Sequence, residues 1–271
     1  MSIKRLYIAL CLISTMSAEE FIGIIKPLHD VKIGVSLDGI VESILVKEGS
    51  LIKEGEELLK LKSELQKLEL NRRKVIWKDR SQLNAAVKTR DIQKSLLTST
   101  RKLYNQSKAV SKHELLLQEG KYYTLVGDIK MREENEKKEE IEYKIALEML
   151  KKYTIKSPID GVITELTLQR GEWAKVGTPY VRIVNSDICY IDINIDELYS
   201  SRLKVGDKID FIVSTKTISA DKKGEIIFIS PVADMASGLV RIKIKFANIQ
   251  NRITPGLSAT ISIDEFLKET N

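Results

Sequence analysis

Residues 38–61 read DGIVESILVKEGSLIKEGEELLKL and residues 160–183 read DGVITELTLQRGEWAKVGTPYVRI. In the first segment Gly39, Gly49 and Gly55 follow Asp38, and in the second Gly161, Gly171 and Gly177 follow Asp160, with spacings of ten and then six in both. Apolar positions correspond as well: Ile40 with Val162, Val41 with Ile163, Ile44 with Leu166, Val46 with Leu168, Leu51 with Trp173 and Leu61 with Ile183. Each copy reads as a strand, a glycine turn, a short strand, a second glycine turn and a last strand, the six glycines being taken as turn residues that supply positive φ. About 30 residues cannot bury enough surface to stand alone. Two interlocking copies, over 30–62 and 154–185, can form one small flattened β-sandwich.

The segment between the copies has a different texture. All five prolines lie outside residues 63–153, and Gly120 and Gly127 are the only glycines inside. A proline-free block rich in Lys, Glu, Leu and Gln predicts long helices, whereas the Val and Ile runs of the flanks, broken by glycine, predict strands. Ser111 followed by Glu114 has capping-box spacing, so a second helix begins at Ser111 and the tip lies near 108–112. Leu115, Tyr122, Ile129, Tyr143 and Leu150 recur at steps of seven, interrupted by Glu136, with Val126 and Leu147 beside them. The first arm has a looser seam through Leu68, Val75, Ile76, Leu83, Ala86, Leu96, Leu97 and Leu103. These patterns predict a two-helix antiparallel coiled coil over 63–153. Arms at 64–109 and 111–152 would reach about 69 and 63 Å at 1.5 Å per residue, a matched pair. Residues 63–110 hold 12 Lys and Arg against 4 Asp and Glu, and residues 111–153 hold 9 against 10. Folding about position 110 therefore sets Glu133–Glu142 opposite Lys78, Arg80, Lys88 and Arg90.

Residues 1–18 have the order of a secretory signal peptide: Lys4 and Arg5, an apolar run from Leu6 to Ile13, then small residues, with cleavage near Ser17 or Ala18. The run is too short to span a bilayer, which takes about 20 residues. A lipoprotein anchor on Cys11 is not expected, because Leu10 stands where a small residue is needed. Cleavage leaves Cys189 alone, so no disulfide framework exists and packing must supply stability. The formal net charge of +6 falls to +4 without Lys4 and Arg5, and no basic motif accompanies it, so nucleic acid is not expected as a partner.

The paired segments resemble the two halves of a biotinyl-lipoyl domain. A lipoyl-like domain split by a helical hairpin is similar to the HlyD-like membrane-fusion, or periplasmic adaptor, family, whose second half-motif SPIDGVI and RGEWAKVGTPYVRIV resemble. The segments ICYIDINIDELYSSRLKVGDKIDFIV, KGEIIFISPVAD, VRIKIKFAN and ITPGLSATISI alternate as strands and resemble that family's adjoining β-barrel, notably at Val205-Gly206-Asp207 and Thr254-Pro255-Gly256-Leu257. The resemblance covers about 19–264 and implies an α+β, mainly β chain. Its parts are a split lipoyl-like β-sandwich interrupted by the coiled-coil hairpin, a small β-barrel over 19–29 plus 186–264, and a tail at 265–271. The chain stops there, so the C-terminal membrane-proximal domain of larger efflux adaptors is not expected.

A working carrier needs an exposed lysine at the tight turn joining its half-motifs. Here the hairpin fills that junction, between Lys60 and Lys62 on one side and Lys156 on the other. Two histidines, His29 and His113, are too few for a histidine-based metal site or triad, and the scattered Met131, Met149 and Met235 make no soft-metal site. No catalytic, cofactor or metal residue is assigned. The resemblance implies a non-enzymatic adaptor in the periplasm, a hexameric ring joining an inner-membrane transporter of RND or ABC type to a TolC-like outer-membrane channel. Many such adaptors carry Arg, Leu and Ser at the tip. With Ser111 as the serine, the other two places hold Thr100 and Tyr104, and Arg101 and Leu103 are each displaced by one, so Arg101, Leu103, Tyr104 and Ser111 are the expected docking residues. A lysine-modified carrier and an envelope scaffold without a pump are the alternatives.

Overall fold

The computed structural model describes residues 20–214, 219–249 and 252–262. The signal peptide expected at 1–18 and the tail at 265–271 lie outside the described residues.

The first copy of the repeat supplies β2 (Gly39–Ile44), β3 (Leu51–Ile52) and β4 (Glu57–Leu61), and the second supplies β6 (Gly161–Leu166), β7 (Trp173–Ala174) and the start of β8 (Pro179–Asp196). The copies clasp each other reciprocally. Gly39 pairs with Ala174 across β2 and β7, and at the equivalent positions Gly161 pairs with Ile52 across β6 and β3. Val41, Ile52, Leu58, Leu61, Ile163 and Ile183 form the shared core of this module, none more than 2% exposed. Gly49, Gly55, Gly171 and Gly177 have φ between 81° and 91°, as turns require. Gly39 and Gly161 differ from expectation, for both start buried strands. A Cβ on Gly161 would lie 2.7 Å from the Val184 carbonyl oxygen, so close approach, not turn geometry, demands glycine there.

A second module closes around β1 (Glu20–Gly34), β12 (Ser258–Ser262), β9 (Lys208–Ser214), β10 (Ser219–Ala233), β11 (Leu239–Ala247) and β8, each paired with the next and β8 returning to β1. Alternation along β8 and β11 sends Ile191, Ile193, Ile195, Ile242 and Ile244 into its core, where Phe211 meets Phe246 with ring centroids 4.9 Å apart. The short helix α4, Glu197–Ser200, lies in this module just after β8, with Asp196 as its N-cap. The two cores share no residue, and β1 and β8 run through both.

The hairpin leaves β4 and returns through β5 (Thr154–Lys156), which pairs with β4. Its returning arm is one 40-residue helix, Lys112–Lys151, but the outgoing arm is broken into Glu64–Lys78 and Ser81–Ser107; the three are α1, α2 and α3 in chain order, α3 being the returning one. Asp79 causes the break without proline or glycine: its backbone is extended, and its Oδ1 accepts from the Ser81 amide at 3.0 Å, starting the next helix. The heptad slips there. Leu70, Arg73 and Trp77 face α3 before the break, and Leu83, Ala86, Arg90, Gln93, Leu97, Thr100 and Tyr104 face it afterwards, so the step from Trp77 to Leu83 is six where seven would keep phase. The expected first-arm seam is therefore corrected: Leu68, Val75, Ile76, Leu96 and Leu103 are exposed, and only Leu83, Ala86 and Leu97 turn inward.

On α3 the expected series Leu115, Tyr122, Ile129, Glu136, Tyr143 and Leu150 does face the partner arm, joined by Gln118, Leu125, Arg132, Glu139 and Ala146, whereas Val126 is exposed. Glu136 pairs with Arg80, which the break frees from the helix, and Arg73 reaches Glu139 at 3.9 Å and Glu142 at 3.6 Å. Lys88 and Arg90 stand farther up than expected. Arg90 pairs with its neighbour Asp91 instead.

Candidate functional site

The tip is built by two cap structures. Lys108 ends α2 in the left-handed region, with φ of 55°, and folds its ammonium over the Tyr104 ring at 4.4 Å from the centroid, a cation–π contact. Ser111 begins α3 and its hydroxyl accepts from the Glu114 amide at 3.1 Å. The return half of a capping box gives way to a lengthwise contact, in which the Glu114 carboxylate accepts from Gln118 Nε2 at 2.7 Å. Three residues separate the helices at the turn, apart from the capping serine itself, and His113 is exposed in the first turn beyond.

The register of the four tip residues resolves into two faces. Thr100 and Tyr104, in phase with Ser111, turn toward the seam: Thr100 is 8% exposed, with its hydroxyl donating to the Leu96 carbonyl, and Tyr104 is half-buried. Arg101 and Leu103, each displaced by one, face outward. Leu103 is 49% exposed, and Arg101 Nη2 donates to Glu119 Oε1 on α3 at 2.5 Å, fixing a guanidinium at the surface. Glu119 and the direct hydrogen bond raise the Arg101 pKa further above its ordinary value, so the group is a permanent cation. Ser111 is exposed at the apex.

Sequence reasoning missed the surface just below. Leu116, Leu117 and Tyr123 are exposed on α3, and Leu117, Gly120, Lys121, Leu125 and Gln93 line an open groove of about 520 Å³. Gln93 Nε2 donates to Gln118 Oε1 at 2.7 Å and closes the seam beside it. Leu116 and Tyr123, seven apart on the outer face of α3, were the signal available, overshadowed by the inner heptad.

The lysines beside the hairpin make no carrier turn. Lys60 lies within β4 and pairs with Glu57 at 2.7 Å, Lys156 lies in β5 at 3.8 Å from the same carboxylate, and Lys62 sits between β4 and α1. Cys189 is fully buried, and burial pushes its thiol pKa up. Among the described residues no group of three or more His, Cys, Asp or Glu is placed to hold a metal ion, and no helix is long and apolar enough to cross a membrane.

A family model described as RND MFP, barrel-sandwich hybrid domain, matches residues 29–186, more than half the chain. An uncharacterised protein of Haemophilus influenzae is 23% identical over 224 residues, covering 83% of this chain and 51% of that protein. A putative efflux system component of Bacillus subtilis, YhbJ, is 27% identical over 126 residues, or 41% of this chain and 57% of the relative. The chain spans about half the length of the curated relatives it matches. Among solved structures, MacA from Actinobacillus actinomycetemcomitans superposes with a TM-score of 0.76 at 23% identity, over 90% of this chain and 77% of that one. The membrane fusion protein Spr0693 from Streptococcus pneumoniae R6 gives 0.58 at 14% identity, over 90% and 97%. At these identities the structural likenesses establish the fold.

Proposed function

The chain belongs to the RND membrane fusion protein (MFP) family, and on that premise we propose that it works as a periplasmic adaptor subunit of a tripartite efflux or export system. Within the family we assign it to the HlyD-like group on its half-motifs. The leader at 1–18 would deliver it to the periplasm, where copies assemble as a ring of six between an inner-membrane transporter of RND or ABC type and a TolC-like outer-membrane channel.

One observation carries this reading: the β module is cut open between β4 and β5, and a two-armed helical rod with a 40-residue returning arm, about 60 Å long, fills the cut. A carrier would place its modified lysine at that point. A rod there gives reach and demands no chemistry, which supports reading the chain as a non-enzymatic adaptor. The docking contact is assigned to the outward pair Arg101 and Leu103 with the apical Ser111, and Tyr104 supports them from the seam.

Replacing Leu103 by Glu tests the assignment. The expected outcome is loss of copurification with the outer-membrane channel and loss of export, with unchanged helical circular dichroism and unchanged thermal melting. Full export by a folded Leu103→Glu protein would overturn tip docking. Recovery of the native complex with neither channel nor transporter would overturn the adaptor reading itself.

A further inference from the structure

β1 and β8 form one ribbon through both modules, and the ribbon is interrupted between them. Pro27 pairs with Cys189 and His29 with Asn185, so a single residue, Leu28, stands opposite three, Ser186, Asp187 and Ile188. Such a bulge bends a ribbon and removes ladder hydrogen bonds, and Pro27 has no amide hydrogen to contribute. On either side the ribbon is braced by charge. Toward the split sandwich, Arg182 donates to both oxygens of Asp30 at 2.8 and 2.7 Å and to Glu165 at 2.8 Å. Toward the barrel, Asp192 accepts from Lys26 at 2.6 Å and from two nitrogens of Arg241 at 2.6 Å. The bulge falls between the braces and between the two hydrophobic cores.

One buried polar side chain closes over it. Asn248, 1% exposed at the end of β11, donates through Nδ2 to the Ser186 carbonyl at 2.9 Å and the Ile253 carbonyl at 2.8 Å. Its Oδ1 accepts from the Ile253 amide at 3.0 Å, and its backbone amide donates to the Asp187 carbonyl at 2.8 Å. These contacts tie the three-residue bulge to the barrel wall. Asn185 Oδ1, accepting from the Asp187 amide at 3.0 Å, shapes the bulge from the other side. Buried polar groups with this many directed bonds define one geometry and disfavour neighbouring ones.

We propose that the two β modules pivot about residues 186–188 and that Asn248 is the latch that sets their angle. Releasing the latch lets the barrel swing while each core stays intact, because neither core crosses the bulge. The inference concerns this junction and stands independently of the adaptor reading, so its failure and that reading's failure are separate results.

The test measures the angle and not only stability. Nitroxide labels at Arg170→Cys in the sandwich and Lys204→Cys in the barrel, with Cys11→Ser in the full chain, report the inter-module distance; Cys189 is fully buried and stays unlabelled. Wild type should give one narrow distribution. Asn248→Ala and Asn248→Asp, the latter unable to donate to two carbonyls, should each broaden it about twofold, and Ile226→Val, a core change on β10, should leave it narrow. Equal widths in wild type and the Asn248 variants, or equal broadening by Ile226→Val, would overturn the latch. A measurement on the unsubstituted protein guards against misfolded variants: amide exchange at 186–188 should be about tenfold faster than at Val184 and Ile191. Equal protection at all three places would overturn the pivot.

Discussion

Asp38 and Asp160 hold each other's copy of the repeat. Asp38 Oδ1 accepts from the Val176 amide at 2.8 Å, and Asp160 Oδ1 accepts from the Glu54 amide at 2.7 Å, at equivalent positions of the two halves. A second equivalent pair stays within each half, where Ser50 caps the Lys47 amide and Glu172 caps the Gln169 amide. The Asp-Gly steps were legible as a repeat, but the carboxylates' role was not, because each acts on a turn more than a hundred residues away. Either Asp→Ala change should cost about 1 kcal/mol in denaturant unfolding, and Glu172→Ala a similar amount. Asp192 carries a pH dependence. Arg241, then Lys26, hold its pKa down to about 2 against the opposing effect of burial. A depressed folded value means that the stabilisation is present above about pH 4 and is lost as the pH falls toward 2. The stability gap between wild type and Asp192→Asn, followed by urea titration, should shrink over that window.

The helical block illustrates what pattern reading can and cannot resolve at the scale of elements. On α3 the seam is largely apolar, so steps of seven stand out. On α1 and α2 four of the ten inward residues are polar, Arg73, Arg90, Gln93 and Thr100, while Leu68, Val75, Leu96 and Leu103 lie outside. Hydrophobicity therefore pointed to the wrong face, and the slip at Asp79 moved the phase with no proline or glycine to announce it. The same slip explains the polar Glu136 on α3, which Arg80 meets. Replacing Arg80 with Ala should destabilise the hairpin by about 1 kcal/mol, and Glu136→Leu should be neutral or stabilising, as for a seam position where packing replaces an ion pair. Thermal melting of the helical signal checks both. Ser111→Ala should cost about 1 kcal/mol through loss of the cap, read from the same melts.

For the whole molecule, the split sandwich, the hairpin and the barrel strands were readable because each is written in its own period: two for strands, seven for the rod, ten and six for the repeated glycines. Closure of the barrel through β1 and β8 was less so. It depends on two strands that serve both modules, and on Asn248, a residue with no local pattern around it. The tip register lay between these cases. Ser111 was legible as a cap, and the structure adds that Arg101 and Leu103 face outward while Thr100 and Tyr104 face the seam.

The most direct measurement of the adaptor reading is photocrosslinking in living cells from a benzoylphenylalanine placed at position 103, with the products identified by mass spectrometry. An adduct with an outer-membrane channel protein is expected from position 103 and none from position 94, lower on α2. An adduct pattern that is the same at both positions, or that never includes a channel, would contradict it.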